Sequence, residues 1–191
     1  MNKAPMKKRI KVQIATFTTA ILLYVGISPY VHAFSHSHLL NHADSYGNIS
    51  LRNSGNITLP NPLVVAGSLD LENSRIAQLP QQLTVDGNLN LAYSDIEYLP
   101  LVFKVGGYVN LAHSKIKELN FGMQVYGDLS LMGTRITKLP DNLYVKGNLY
   151  LNNTKLTKLP NKLMVDGNVY IRGTTIHAIP DDARIKGTVF N

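Results

Sequence analysis

The chain reads as an all-β-rich repeat solenoid, a stack of twenty-residue coils that form parallel β-sheets. Three observations point there. The segment 139–158, LPDNLYVKGNLYLNNTKLTK, recurs in register as LPQQLTVDGNLNLAYSDIEY from Leu79 and LPNKLMVDGNVYIRGTTIHA from Leu159. A fixed period of this length is the signature of stacked repeats. Within a repeat, Leu83, Val85, Gly87, Leu89 and Leu91 alternate with other residues, the period-two pattern of a strand with one buried face. Glycine stands at 47, 67, 87, 107, 127, 147, 167 and 187, at one rank in every coil.

The N-terminus is of another kind. Lys3, Lys7, Lys8, Arg9 and Lys11 precede an apolar run over residues 12–27, and Val31-His32-Ala33 follows the break at Ser28-Pro29. A basic segment, an apolar segment and a small-x-small site are the grammar of a secretory signal peptide, here an expected helix within residues 1–33, with cleavage after Ala33. The run is shorter than the roughly twenty residues of a membrane-spanning helix. A membrane role is therefore expected only if the signal stays uncleaved. Export places the mature chain in the periplasm or outside the cell.

Charge follows the same division. The net charge is +7, but residues 1–33 hold five of the 19 Lys and Arg and none of the 12 Asp and Glu. The remainder carries 14 basic and 12 acidic residues, a net +2. The basic balance belongs mostly to the export signal and gives no case for nucleic acid. There is no cysteine, so neither disulfides nor thiolate chemistry are available.

Residues 34–46 form a polar, histidine-containing lead-in. The solenoid spans 47–191. It has an irregular first coil, six full repeats over 59–178 and a truncated last coil over 179–191. Each rank has a physical reading. Val65, Val85, Val105, Val125, Val145, Val165 and Ile185 supply a β-branched rank that suits a half-buried pleated surface. The glycine rank marks a bend or a close backbone approach. Proline at 60, 80, 100, 140, 160 and 180 belongs at a corner, because it fixes φ and has no N–H; Asn120 is the one substitution at that rank. Ser54, Ser74, Ser94, Ser114, Thr134, Thr154 and Thr174 form a hydroxyl rank at a second corner, able to bond backbone locally or in the next coil and expected to satisfy turn amides. Coils about 4.8 Å apart bring residues twenty apart into contact. No coil buries its apolar face alone.

The segments Leu149-Tyr150-Leu151-Asn152-Asn153-Thr154-Lys155-Leu156 and Leu159-Pro160, with their equivalents, resemble the bacterial leucine-rich repeat class with twenty-residue Leu-Pro repeats. The resemblance covers residues 47–191. It implies protein–protein recognition. Two differences set this chain apart: Thr or Ser stands where that family has asparagine, and an added x-V-x-G segment lengthens the β portion. Both favour a straighter coil with two parallel sheets over a curved horseshoe. Some members carry a ligase domain with a cysteine nucleophile, which this chain cannot supply.

No catalytic constellation emerges. By rank, Asp95 lies between Arg75 and Lys115, Glu97 lies beside Lys117, and no two carboxylates share a rank in adjacent coils. There is no nucleophile elbow, phosphate loop, HExxH or EF-hand pattern. The expectation is a non-enzyme without a cofactor. His36, His38 and His42 are a candidate metal group, because a chain beginning Phe34-Ser35-His36 would offer an amine and an imidazole to a square-planar ion; the alternative is a polar tail. Tyr108, Tyr126, Tyr144, Tyr150 and Tyr170 are candidate partner contacts, with cross-strand packing as the alternative. Lys115, Arg135 and Lys155 form a basic edge that could meet an anionic glycan or lipid surface, or simply be solvated.

The expected function is binding of another macromolecule, a protein first, through a rigid solenoid face. The alternatives are an assembly protein stacking through open solenoid ends and an anionic-surface binder.

Overall fold

The computed structural model describes His32–Ala33 and residues 36–191. The signal-peptide helix expected in residues 1–33 lies outside the described residues, apart from His32–Ala33, a short strand parallel to Ile57–Thr58. Beyond it the chain is a parallel β-solenoid of about seven turns of twenty residues. The ranks of the repeat fall into register: Leu89 pairs with Val109, and Val85 with Val105, both inward-facing and buried.

One sheet runs the length of the stack. Its eight parallel strands are Ile49–Ser50, Leu69–Asp70, Leu89–Asn90, Val109–Asn110, Leu129–Ser130, Leu149–Tyr150, Val169–Tyr170 and Val189–Phe190. The opposite layer is interrupted. Leu63–Val65, Gln82–Val85 and Val102–Val105 form one sheet, and Gln124–Val125, Tyr144–Val145, Met164–Val165 and Arg184–Ile185 form another. The two-sheet expectation is thus right in kind, with the second layer split in two. The core between the layers is almost wholly Leu, Ile and Val.

The hydroxyl rank works within each coil. The hydroxyls of Ser74, Ser94, Ser114, Thr134 and Thr154 are buried and donate at 2.7–2.8 Å to the carbonyl three residues earlier. The same carbonyl accepts the backbone N–H of that Ser or Thr, as Leu71 does from Ser74 at 3.2 Å. The rank therefore chiefly satisfies turn carbonyls; the amide role expected from the sequence is seen at Thr174, whose hydroxyl donates to the Ile171 carbonyl at 2.7 Å and accepts the Ile176 N–H at 3.3 Å. The tight turn supplies no donor except its own third residue, and a short hydroxyl reaches back to the carbonyl.

The ladder between coils sits one residue after the glycine. Asn48 accepts the Ser68 N–H at 2.7 Å, Ser68 accepts the Asn88 N–H at 3.0 Å, and Asn88 accepts the Tyr108 N–H at 3.0 Å. Asp128, Asn148 and Asn168 continue it to Thr188. These side chains occupy the space above the glycine of the next coil. A Cβ on Gly87 would stand 2.7 Å from Ser68 Oγ and 2.9 Å from the Gly67 carbonyl carbon. At this rank only Gly47 has a positive φ, so glycine is required by close approach, the second of the two readings above.

The lead-in is more than a polar tail. His36–Leu40 is a short helix whose Leu39 is buried in the core. Asp44 then accepts the N–H groups of Tyr46 and Asn48, both at 2.9 Å, and turns the chain into the first coil.

Candidate functional site

The stack changes character at one junction, between the coil 99–118 and the coil 119–138. Among the described residues, no strand pairing joins Val102–Val105 to Gln124–Val125. The side-chain ladder also lapses there, because Tyr108 occupies the rank held by Asn, Ser or Asp in the neighbouring coils and offers the Asp128 N–H no comparable side-chain acceptor. The proline rank reads Asn120, whose carboxamide donates to the Pro100 carbonyl at 2.7 Å. The eight-stranded sheet alone runs through the junction unbroken, with Leu129 paired to Val109.

Apolar side chains gather on the surface at this opening. Leu101 is 96% exposed and Phe121 77%. The same corner rank holds Asn61, Gln81, Asp141, Asn161 and Asp181 in the other coils, so two adjacent coils replace a polar corner with a large apolar one. Exposed Tyr98, Val102 and Tyr126 extend the patch. Three adjoining clefts of about 550, 740 and 920 Å³ share Leu101 as a wall. Scattered exposed leucines are ordinary, but a contiguous apolar patch marks an interaction surface. Its rim carries both signs: Lys117 bonds Glu97 at 2.6 Å and lies 5.5 Å from the centre of the Tyr98 ring. Leu101 and Phe121 were not among the candidates drawn from the sequence. Their signal was present as an intrusion into a polar rank, visible once each rank is read for apolar as well as charged residues.

The five candidate tyrosines divide between two faces. Tyr150 and Tyr170 lie on the eight-stranded sheet with Phe190, their rings stacked at 4.8 and 5.0 Å. Tyr108 borders the same face, lining a cleft of about 300 Å³ with Tyr150. Tyr126 and Tyr144 belong to the opposite layer. Tyr126 donates to Gln124 at 2.9 Å, and Tyr144 donates to Asp166 at 3.0 Å.

Asp166 also pairs with Lys186 at 2.9 Å. The Lys186 hydrogen bond, then that of Tyr144, holds the Asp166 carboxyl below its ordinary 3.8. The same carboxylate raises the Tyr144 phenol above 10.0, because it favours the protonated donor. A lowered carboxyl pKa in the folded chain contributes stability above the unfolded value, and this is lost as pH falls through the folded value. Replacing Asp166 with Asn is expected to bring the Tyr144 titration, followed by phenolate absorbance, back toward 10.0. An unmoved titration would remove the assigned bond.

The basic edge is partly neutralised. Lys115, Arg135 and Lys155 are all exposed, and Lys115 is tied to Asp95 at 2.7 Å, as their ranks imply. At the opposite end of the stack, Asp70 and Glu72 both hold Arg52, at 3.1 and 3.0 Å. A carboxylate pair so occupied is not a free acid–base couple. Among the described residues no group of three His, Asp or Glu is placed to hold a metal ion. His38 and His42 lie in and just after the short helix, and the His36 side chain falls outside the described residues.

No protein family, no curated protein and no solved structure matches this chain.

Proposed function

We propose that this is an exported binding protein, of leucine-rich-repeat-like sequence type, that captures a partner protein by an extended apolar segment along the interrupted layer. The carrying observation is Leu101, 96% exposed and shared by three adjoining clefts beside an unpaired strand edge. An extended peptide adds backbone hydrogen bonds to an open edge while its alternate side chains fill pockets. Here Val102–Val105 offers the edge, and Leu101, Phe121 and Tyr98 line the pockets. The mixed charge of the rim suits an apolar segment over a polyanion. The role is binding, not catalysis.

Burying a Leu or Phe side chain contributes about 1.5–3 kcal/mol each. The double substitution Leu101→Ser, Phe121→Ser is therefore expected to weaken partner binding by about a hundredfold or more. Because both side chains are exposed in the unbound chain, thermal stability should hardly change. A photo-crosslinking residue at 101 should trap a discrete partner, and the same residue at exposed Val64 should not. Equal trapping at both positions would sink the proposal.

Export rests on the basic and apolar segments before Ala33. The mature exported chain is expected to begin at Phe34, read by intact mass. A chain still carrying Met1 would exclude cleavage.

A further inference from the structure

The opposite face carries a second site. We propose that the cleft between Tyr108 and Tyr150 on the eight-stranded sheet binds a neutral pyranoside, one sugar ring stacking on Tyr150 above Ser130. This is independent of the peptide site, which lies on the other layer.

The argument starts from the aromatic stack. Tyr150, Tyr170 and Phe190 occupy one rank in three successive coils, with interplanar angles of 4° and 11°. Rings stacked along the solenoid axis cover one another, so both faces of Tyr170 are occupied. One face of Tyr150 is covered by Tyr170. The other looks toward Ser130, its register partner in the preceding coil. A serine is too small to cover a phenol ring. The next residue at that rank is Asn110, two strand spacings or about 9.5 Å from Tyr150. That gap accepts one further ring at stacking distance on the Tyr150 face.

The walls say which ring. Tyr108, Asn110, Asp128, Ser130, Met132 and Tyr150 line the cleft, whose volume of about 300 Å³ is at the small end of ligand sites. Its polar groups are hydroxyls, a carboxamide and a carboxylate. Asp128 Oδ1 accepts the Asn148 N–H at 2.7 Å, which leaves Oδ2 for a ligand hydroxyl. Asn110 Oδ1 accepts the Ala112 N–H at 3.1 Å, which leaves its NH₂ group to donate. An aromatic face beside acceptors and donors suits a ring with an apolar C–H face and hydroxyls around its edge. A carboxylate and no cation among the lining residues disfavour an anionic ligand. Pyranosides with equatorial hydroxyls present the flattest C–H face, so glucose-type and N-acetylglucosamine-type units fit best. Burial, and next the Asp128 charge, raise the Tyr150 phenol above its ordinary 10.0, consistent with a neutral hydroxyl at the cleft wall.

The test uses the full chain with cellotriose, chitotriose and trigalacturonate as probes, followed by saturation-transfer NMR and calorimetry. At least one of the two neutral sugars is expected to bind, with trigalacturonate weaker. Ser130→Tyr extends the aromatic stack by one ring and fills the gap with a residue that the next two coils already carry at that rank. It should fold and lower affinity by at least about tenfold. Tyr150→Ser should do the same by removing the platform, and Tyr150→Phe should keep binding. The proposal is overturned if neither neutral sugar binds, if trigalacturonate binds more tightly, or if Ser130→Tyr, shown folded by an unchanged thermal midpoint, binds as well as the original chain. Should Ser130→Tyr not fold, undiminished binding by Tyr150→Ser overturns it equally.

Discussion

Gly147→Ala is expected to destabilise the chain by about 3 kcal/mol, while Gly55→Ala is expected to be neutral or slightly stabilising. Both substitutions add one methyl group, and neither glycine has a positive φ. For an exposed glycine in that state, alanine lowers the entropy of the unfolded chain and adds a few tenths of a kcal/mol of stability. Gly55 has nothing within 4 Å of an added Cβ and should follow this rule. At Gly147 the added Cβ meets the Asp128 carboxylate, with the Gly127 carbonyl carbon at 2.7 Å and the Asp128 nitrogen at 2.8 Å. Backbone atoms cannot rotate away, so the coils must part. Two bonds crossing that point then lengthen: Gly147 N–H to the Gly127 carbonyl at 2.9 Å, and Asn148 N–H to Asp128 at 2.7 Å. Chemical denaturation measures the difference. A cost under about 1 kcal/mol at Gly147 would mean that the stack can open there without loss.

Leu129→Ala is expected to cost about 2–5 kcal/mol. Leu129 is fully buried, with Val109 and Leu149 as its register partners on either side. Truncation leaves a cavity walled by two neighbouring coils, and neither can collapse into it without breaking strand pairing. Val189 holds the same rank in the last coil and is partly exposed. Val189→Ala should therefore cost well under half as much. Similar costs at both positions would contradict a core made by stacking, because a coil with its own core would feel each loss alike.

Much of the fold could be read in advance because a strict repeat turns sequence distance into spatial distance. Once Leu89 and Val109 share a rank, their pairing follows, and so do the contacts of Asp95 with Lys115 and Glu97 with Lys117. The hydroxyl rank was placed at the right corner, but its common partner is the turn carbonyl, and among the described residues an amide is bound at Thr174 alone. Whether an oxygen bonds its own turn or the next coil depends on the turn's backbone geometry, which the residue type leaves open. The true ladder after the glycine was missed for a related reason. Asn, Ser and Asp look like ordinary polar surface until the next coil's N–H is placed beneath them. The candidate tyrosines separate by rank, Tyr108, Tyr150 and Tyr170 after the glycine and Tyr126 and Tyr144 before it, and the structure puts the two groups on different layers. Tyr126 and Tyr150 differ by only a few positions in rank, yet the chain turns a corner between those ranks.

By itself the sequence determined the period, the inward ranks and the corners of the solenoid. Each follows from periodicity and from residues whose backbone preferences are local. Only the tertiary structure decided where the second layer splits, which apolar side chains stand exposed at the split, and that Tyr108, Ser130 and Tyr150 line one cleft. Those outcomes depend on how one coil rests on another. A departure from the repeat at Asn120 or Tyr108 changes that fit in space before it changes anything along the chain.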